Sequence, residues 1–211
     1  KAKTTEEITN KSGQVVLKRT YTKENGQDIA HDTYYIYDDF GNLTYVLSPK
    51  ASDAIITSSN TIDTQVLNDL GYQYKYDYRN RLIEKKIPGK EWESIVYDRL
   101  DRPVLTQDPN LRNQTQKKWL FTKYDALGRV AYTGIYTSAQ TRAQLQTTVN
   151  AITTGFNESR VTTPITHTDV DVYYSNDAFP NTNIEVLTVN YYDDYNFGNP
   201  DVLLASDDVT L

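Results

Sequence analysis

The chain has no cysteine and no methionine among its 211 residues. Without cysteine there are no disulfide staples, no thiolate-bound zinc and no thiol nucleophile. The compartment stays open, because a large extracellular protein can manage without disulfides. The missing methionine, absent even at position 1, predicts a mature or excised piece of something longer. No apolar run is long enough to span a bilayer, and no basic-then-apolar leader opens the chain. With 22 basic and 28 acidic residues, net charge −6 and no basic block, a nucleic-acid backbone is not the expected partner. Tryptophan (2) and phenylalanine (5) are scarce, whereas tyrosine reaches 18. Tyrosine favours half-buried strand positions, its ring packed and its hydroxyl reaching water or a partner, and frequent threonine adds to that signal. The composition describes a β-rich chain with wet edges.

One phrase is written four times: Tyr-Asp, two free residues, a residue tolerant of positive φ, then usually Arg. It starts at Tyr37-Asp38, Tyr76-Asp77, Tyr97-Asp98 and Tyr124-Asp125. The fifth position holds Gly41, Asn80, Asp101 and Gly128, the residue types that enter the left-handed region most readily. The Asp can accept an N–H two residues on as an Asx-turn, and Asp followed by Gly three residues later signs a type I turn. The phrase therefore reads as a bend between two strands. Arg81, Arg102 and Arg129 lie four residues beyond their Asp and can bond it or the Asp of the next unit. Asn42 takes that place in the first unit, which is expected to lack the pair.

The flanks alternate as strands do. Tyr72, Tyr74 and Tyr76 are expected to share a face, and so are Leu43, Tyr45 and Leu47. Tyr76 and Tyr97 are 21 residues apart, room for two strands and two turns. The gap of 27 to Tyr124 implies a polar loop near Asp108 to Gln116, and the gap of 39 before Tyr76 implies an insertion. Ile62, Val66 and Leu70 predict a helix there, capped by Asn60 or Thr61 and ended by Gly71. A second helix is expected from about Ala139 to Asn150, capped by Thr137 or Ser138, with Leu145 and Val149 on one face. Ala151 to Thr168 reads as polar loop with a short strand. Tyr173-Tyr174 and Glu185 to Tyr192 resume the β pattern, and Tyr192 to Gly198 is a degraded echo of the phrase.

Y-D-x-x-G-R-[LV], cleanest at Tyr124 to Val130, resembles the YD repeats of the RHS (rearrangement hotspot) family. The stretch K-K-I-P-G-K-E-W-E-S-I-V-Y-D-R-L-D-R-P-V-L-T-Q-D resembles RHS-type proteins of Bacteroidetes. The resemblance covers roughly Tyr34 to Gly134. It implies a long β-sheet spiralling into a hollow shell, which in bacterial toxin members encloses a variable C-terminal toxin domain. In teneurins a similar shell serves adhesion on the animal cell surface. Bacteroidetes-type members are commonly large secreted or surface proteins. This chain has too few repeats to close a shell. It lacks the paired D-P-x-G motifs associated with self-cleavage, since no Gly follows Asp108-Pro109-Asn110, and no protease function is transferred.

Chemistry-bearing residues carry bland readings. The repeat Asp residues could serve a glycosidase as its carboxylate pair, but their spacing is that of turns. Asp38-Asp39, Asp169-Val170-Asp171 and Asp193-Asp194 lack the alternating oxygen ligands and the Gly of a calcium loop. His31 and His167 have no sequence partner for a metal or triad, and Gly89 and Gly134 read as turn residues. Trp92 or Trp119 with the tyrosines could offer glycan a platform, although aromatics at strand spacing more often pack a sheet.

The expected fold is mainly β: an antiparallel YD-repeat sheet, part of a spiralling shell, with two short inserted helices. Its expected segments are 1–32 as an N-terminal strand or linker, 33–134 as the repeats with a helix at about 60–71, and 135–211 as helix plus degenerate β region. The expected function is that of a non-enzymatic shell segment of a secreted or surface bacterial protein, needing no cofactor or metal. Its partners are the rest of a longer polypeptide or an encapsulated domain, then secretion machinery or glycan. Adhesion or carbohydrate binding is the alternative, and glycoside hydrolysis the second alternative. Open strand edges at the ends of a repeat sheet invite pairing with another chain. The isolated chain is therefore expected to dimerise or aggregate unless its helices cover those edges; light scattering that reports a stable monomer would contradict this.

Overall fold

A computed structural model describes residues 4–57, 63–167 and 170–192. In chain order its elements are β1 (Thr5–Thr9), β2 (Val15–Glu24), β3 (Gln27–Tyr37), β4 (Leu43–Leu47), α1 (Pro49–Thr57), α2 (Thr64–Leu70), β5 (Gly71–Tyr76) and β6 (Leu82–Lys86). Then come β7 (Glu93–Tyr97), β8 (Pro103–Gln107), α3 (Pro109–Arg112), β9 (Lys118–Tyr124), β10 (Val130–Thr137), α4 (Arg142–Ala151), β11 (Arg160–His167), β12 (Val170–Tyr174) and β13 (Ile184–Val189). Eleven strands form one antiparallel sheet in the order β1 to β10, then β13, and β11 pairs with β12 in a separate ribbon. Nearly every strand thus pairs with its neighbour in sequence, which is how a chain of hairpins lays down a sheet. The sheet is open, mainly antiparallel and edged by β1, whose residues are all exposed.

The Tyr-Asp turns all lie on one margin, joining β3 to β4, β5 to β6, β7 to β8 and β9 to β10. Insertions occur only at connections on the opposite margin: α1 and α2 between β4 and β5, α3 between β8 and β9, and the stretch 138–183 between β10 and β13. The described residues therefore hold four helices rather than two, and the polar stretch after Asp108 contains α3, with Asp108 as its cap. Asn60, Thr61 and Ile62 lie outside the described residues; α2 is capped by Asp63, whose carboxylate accepts from Gln65 N–H. Gly71 does not end this helix through positive φ, since its φ is −99°. A Cβ there would stand 2.8 Å from the Leu67 carbonyl oxygen, so close approach explains the glycine. The later helix begins at Arg142, not Ala139. Thr141 caps it in a reciprocal box with Gln144, whose side chain can reach back to the cap N–H where those of Thr137 and Ser138 have no such partner. Neither expected division of the chain coincides with a break, because β3 runs through 32/33 and β10 through 134/135.

Each hairpin of the bend margin skips one residue just past its turn, whereas β2 and β3 pair across Asn25-Gly26 without a skip. The register passes over Val16, Thr44, Ile83, Val104 and Ala131 in successive units. A bulge moves the side chains beyond it to the other face and increases local twist. Leu43, opposite Tyr37, therefore faces away from Tyr45, opposite Ile36, and from Leu47. The expectation that these three share a face fails for that reason.

The chain's own helices cover only one face. Under α2 lie Gln73, which donates to the Leu67 and Asn68 oxygens, and Lys86, which reaches Asn68. Farther along, the 138–183 insertion buries Val96, Leu105, Trp119, Phe121 and Tyr132 beneath Leu145, Val149, Val172 and Tyr174. The tyrosine face of β5 is the other, uncovered one: Tyr72 is 38% exposed while Gln73 is 6% exposed. At the last pairing, Gly134 is a packing requirement and not a turn residue. A Cβ there would stand 2.0 Å from the Glu185 carbonyl oxygen and 2.6 Å from the Phe121 ring. Gly134→Ala is expected to cost about 1–3 kcal/mol as the β10–β13 pairing is forced apart; a urea midpoint equal to the wild type would refute this.

Candidate functional site

Four bends share one set of bonds. In each, the Asp N–H donates to the carbonyl four residues on, and the fifth-position N–H donates back to the Asp carbonyl. One Asp oxygen accepts two further amides. Asp77 Oδ1 takes Arg79 N–H (2.9 Å) and Arg81 N–H (3.0 Å), and Asp38, Asp98 and Asp125 do the same at their own turns. Gly41, Asn80, Asp101 and Gly128 have φ of 83°, 59°, 62° and 78°. This is a type I turn followed by a residue in the left-handed region, a connection suited to strongly twisted hairpins.

The second Asp oxygen meets the residue after the bend. Arg81 bonds Asp77 through Nε (2.8 Å) and Nη2 (2.7 Å), Arg102 bonds Asp98 (2.8 Å), and Arg129 bonds Asp125 (2.6 Å). Arg81 also reaches the next unit, through the fifth-position Asp101 at 2.7 Å and not through the carboxylate of Asp98. Asn42 does not leave a gap in the first unit. Its amide donates to Asp38 and to Asn80 of the next unit, both at 3.0 Å.

The repeat tyrosines tie each hairpin to the one before. Tyr76 donates to Leu43 O (2.9 Å), Tyr97 to Leu82 O (2.7 Å) and Tyr124 to Pro103 O (2.8 Å), each acceptor being the first residue past the preceding bend. The arginine of the earlier unit lies over the same ring, Arg81 on Tyr97 at 4.7 Å and Arg102 on Tyr124 at 4.6 Å. Burial raises all three phenols above the usual range, and they stay donors.

This bond set exposes a unit hidden in the sequence. Asn10 accepts Ser12 and Gln14 amides on its side-chain oxygen, donates its own N–H to Gln14 O, and faces Gly13 at φ 80°. Gln14 stands where Arg does elsewhere, and Tyr37 donates to Val15 O. Asn for Asp and Gln for Arg keep the hydrogen bonds without the charge, and Thr9 replaces the tyrosine; only the Asn-x-x-Gly-Gln-Val spacing marked it. At the far end Tyr192 donates to Val130 O (3.1 Å) beneath Arg129, as a fifth repeat tyrosine would. Asp193 to Gly198 lie outside the described residues.

The free side of each bend is apolar. Phe40 is 81% exposed, Tyr78 86%, Leu100 53% and Leu127 76%, one on each of four consecutive turns. Such a row is more than scattered surface hydrophobics.

Other sequence candidates fall apart in space. Among the described residues no three His, Cys, Asp or Glu side chains gather as a metal site. Asp38 is held by its own turn and Asp171 accepts from Thr166, while Asp169, Asp193 and Asp194 lie outside the described residues. His31 meets Thr22. Trp119 is buried and cannot offer a platform, and Trp92 lies beneath the Lys75 ammonium. Among the described residues no helix is long and apolar enough to cross a membrane.

One polar cluster had no sequence signal. Lys123, fully buried on β9, pairs with fully buried Glu158 at 2.9 Å. Glu158 also accepts from Ser175 Oγ and from the Asp177 and Ala178 amides, and its own N–H donates to Tyr124 O. Tyr132 and His167 lie against it, His167 with its ring 6.4 Å from that of Tyr132. Burial pulls the Lys123 ammonium and the His167 imidazolium below their usual ranges. Burial, with the Glu158 carboxylate, pushes the Tyr132 phenol far up.

No protein-family model and no curated protein matches the chain. Among solved structures it is similar to the TcdB2-TccC3-TEV crystal structure, with TM-score 0.48, 18% identity, and 65% of this chain covered but 6% of that one. It is also similar to the Photorhabdus luminescens Tc holotoxin pore, with TM-score 0.48, 16% identity, and coverage of 69% and 7%. The chain thus spans a small fraction of the length of these neighbours.

The turn carboxylates make an acid-stability prediction. Burial by itself would raise Asp77 and Asp125, but the adjoining arginine and the turn amides outweigh it and hold both below the usual carboxylate range. In Asp38 the Asn42 side chain is the largest cause of the lowering, with the Asn42, Phe40 and Gly41 amides adding to it. A carboxyl lowered by folding binds fewer protons native than unfolded. The stability it adds is present above its unfolded value, near 4 by the usual rough figure for Asp, and is lost as pH falls toward the folded one. Urea midpoints are expected to drop as pH is lowered below about 4, and Asp77→Asn with Asp125→Asn to flatten that drop; equal slopes in variant and wild type would refute it.

Proposed function

We propose that this chain is a wall segment of a YD-repeat shell of the RHS type, part of a larger secreted or surface-exposed bacterial polypeptide. It works by construction and not by catalysis, scaffolding or enclosing another part of that polypeptide, such as an effector domain. The observation that carries this reading is the uniform bond set of the turns, each hairpin clamped to its predecessor by a tyrosine hydroxyl. Units that contact only their neighbours add end to end, which is how repeat walls grow. The bulge recurring at one register position supports a wall that coils, since each bulge adds twist in the same sense. The row of apolar turn tips supports burial against a further layer. Each repeat carboxylate is saturated by its own bend, which weighs against a hydrolase.

A carbohydrate-binding or adhesive surface is the second reading, favoured by the uncovered tyrosines and the 86% exposed Tyr78. Electron cryomicroscopy of the longer polypeptide is the deciding experiment. Neighbouring strands are expected to continue the sheet beyond β1 and β13 with the same turns. A separately folded domain with both edges free overturns the shell, and specific glycan-array binding by that domain would establish the second reading instead.

A further inference from the structure

Beneath the fourth bend a buried lysine, a buried glutamate and a half-buried asparagine from separate stretches of chain meet. Lys123 comes from the sheet, and Glu158 and Asn176 come from the insertion folded over it. The Lys123 Nζ lies 2.5 Å from Asn176 Oδ1 and 2.9 Å from Glu158 Oε1. A carbonyl bond is about 1.23 Å, so the amine nitrogen is within about 3.7 Å of the carboxamide carbon. That is close to the separation at which bound groups react. Phe121, Tyr132, Val172 and Tyr174, all buried, form the core on one side of Lys123 and Glu158, while the half-buried Asn176 donates its Nδ2 to Asn181 O at 2.9 Å on the other.

We propose that Lys123 and Asn176 join in an intramolecular isopeptide bond, formed by the chain itself with Glu158 moving the protons. The Lys123 ammonium passes a proton to the Glu158 carboxylate. The freed amine attacks Asn176 Cγ, and the bond from Cγ to Nδ2 breaks. The leaving nitrogen takes one proton from the attacking nitrogen and one from Glu158, departing as ammonium while Glu158 returns to carboxylate. Nothing is oxidised or reduced, and no co-reactant is needed.

The surroundings suit each step. Burial lowers Lys123, which eases release of its proton. Tyr132 stays a phenol, and its hydroxyl, 3.3 Å from Asn176 Oδ1, can donate to the oxygen where negative charge develops. Ser175 Oγ (2.6 Å) and the Asp177 (3.0 Å) and Ala178 (3.1 Å) amides hold Glu158 in place. The two joined residues are 53 apart in sequence, so the bond would close a covalent loop containing β10, α4, β11 and β12 and fasten the insertion to the sheet. A cross-link of that kind restricts the unfolded chain.

Intact-mass spectrometry of the denatured 211-residue chain tests this. The expected mass is that of the sequence less one ammonia, with a tryptic digest yielding one branched peptide that contains Lys123 and Asn176. Lys123→Arg and Asn176→Ala are expected to restore the sequence mass, and Glu158→Gln to restore it in most molecules. A wild-type mass equal to that of the sequence overturns the proposal, and so does an ammonia deficit that maps to a linear peptide. The measurement on the wild-type chain decides even where a variant fails to fold.

Discussion

A single carboxylate oxygen that accepts amides two and four residues along the chain sets the geometry on which the sheet depends. In Asp77 that oxygen holds the Arg79 and Arg81 amides, so the backbone must turn through positive φ at Asn80 between them. The turn then delivers Arg81 to the second Asp oxygen and over the next tyrosine. It also presents the Leu82 carbonyl to the Tyr97 hydroxyl. Each unit builds the acceptor that receives the following one. The order of strands follows from this local rule without long-range specification.

Neighbour-to-neighbour construction leaves the two margins with different freedoms. The bend margin repeats because each turn must match the adjacent turn. Connections on the other margin meet no such demand, and there the chain carries a two-residue Asn25-Gly26 link, a helix pair, a short helix and a 46-residue insertion between Thr137 and Ile184. The longest insertion returns over the sheet and covers most of the dry core, adding Leu145, Val149, Val172 and Tyr174 to side chains of the strands. Its docking is polar at the edges: Gln146 bonds the Tyr97 backbone on both sides, and Arg102 reaches Asn157 and the Phe156 carbonyl. Arg102 uses for the insertion the reach that Arg81 spends on its neighbouring turn.

Much of the bend was legible because its requirements are local. Residue types at Gly41, Asn80, Asp101 and Gly128 report backbone torsion directly, and the Asp four residues before Arg reports the pair. The unit at Asn10 is not legible in the sequence because Asn and Gln satisfy the same hydrogen bonds with no charge and no tyrosine. The helix at Arg142 was legible through Leu145 and Val149, but its start was displaced because a capping box needs Gln144 opposite Thr141.

The amino-acid sequence by itself determined the bends, their order and the antiparallel hairpins between them, since the bend bonds lie within one turn and each hairpin pairs strands adjacent in sequence. Only the tertiary structure decided which face is buried. A one-residue bulge reverses the alternation beyond each bend of that margin, so Leu43 and Tyr45 part company, and packing under α2 puts polar Gln73 inside while Tyr72 faces out. Only the fold, too, brought Lys123 to Glu158 and Asn176, because burial of a charge depends on residues far along the chain that no local pattern encodes.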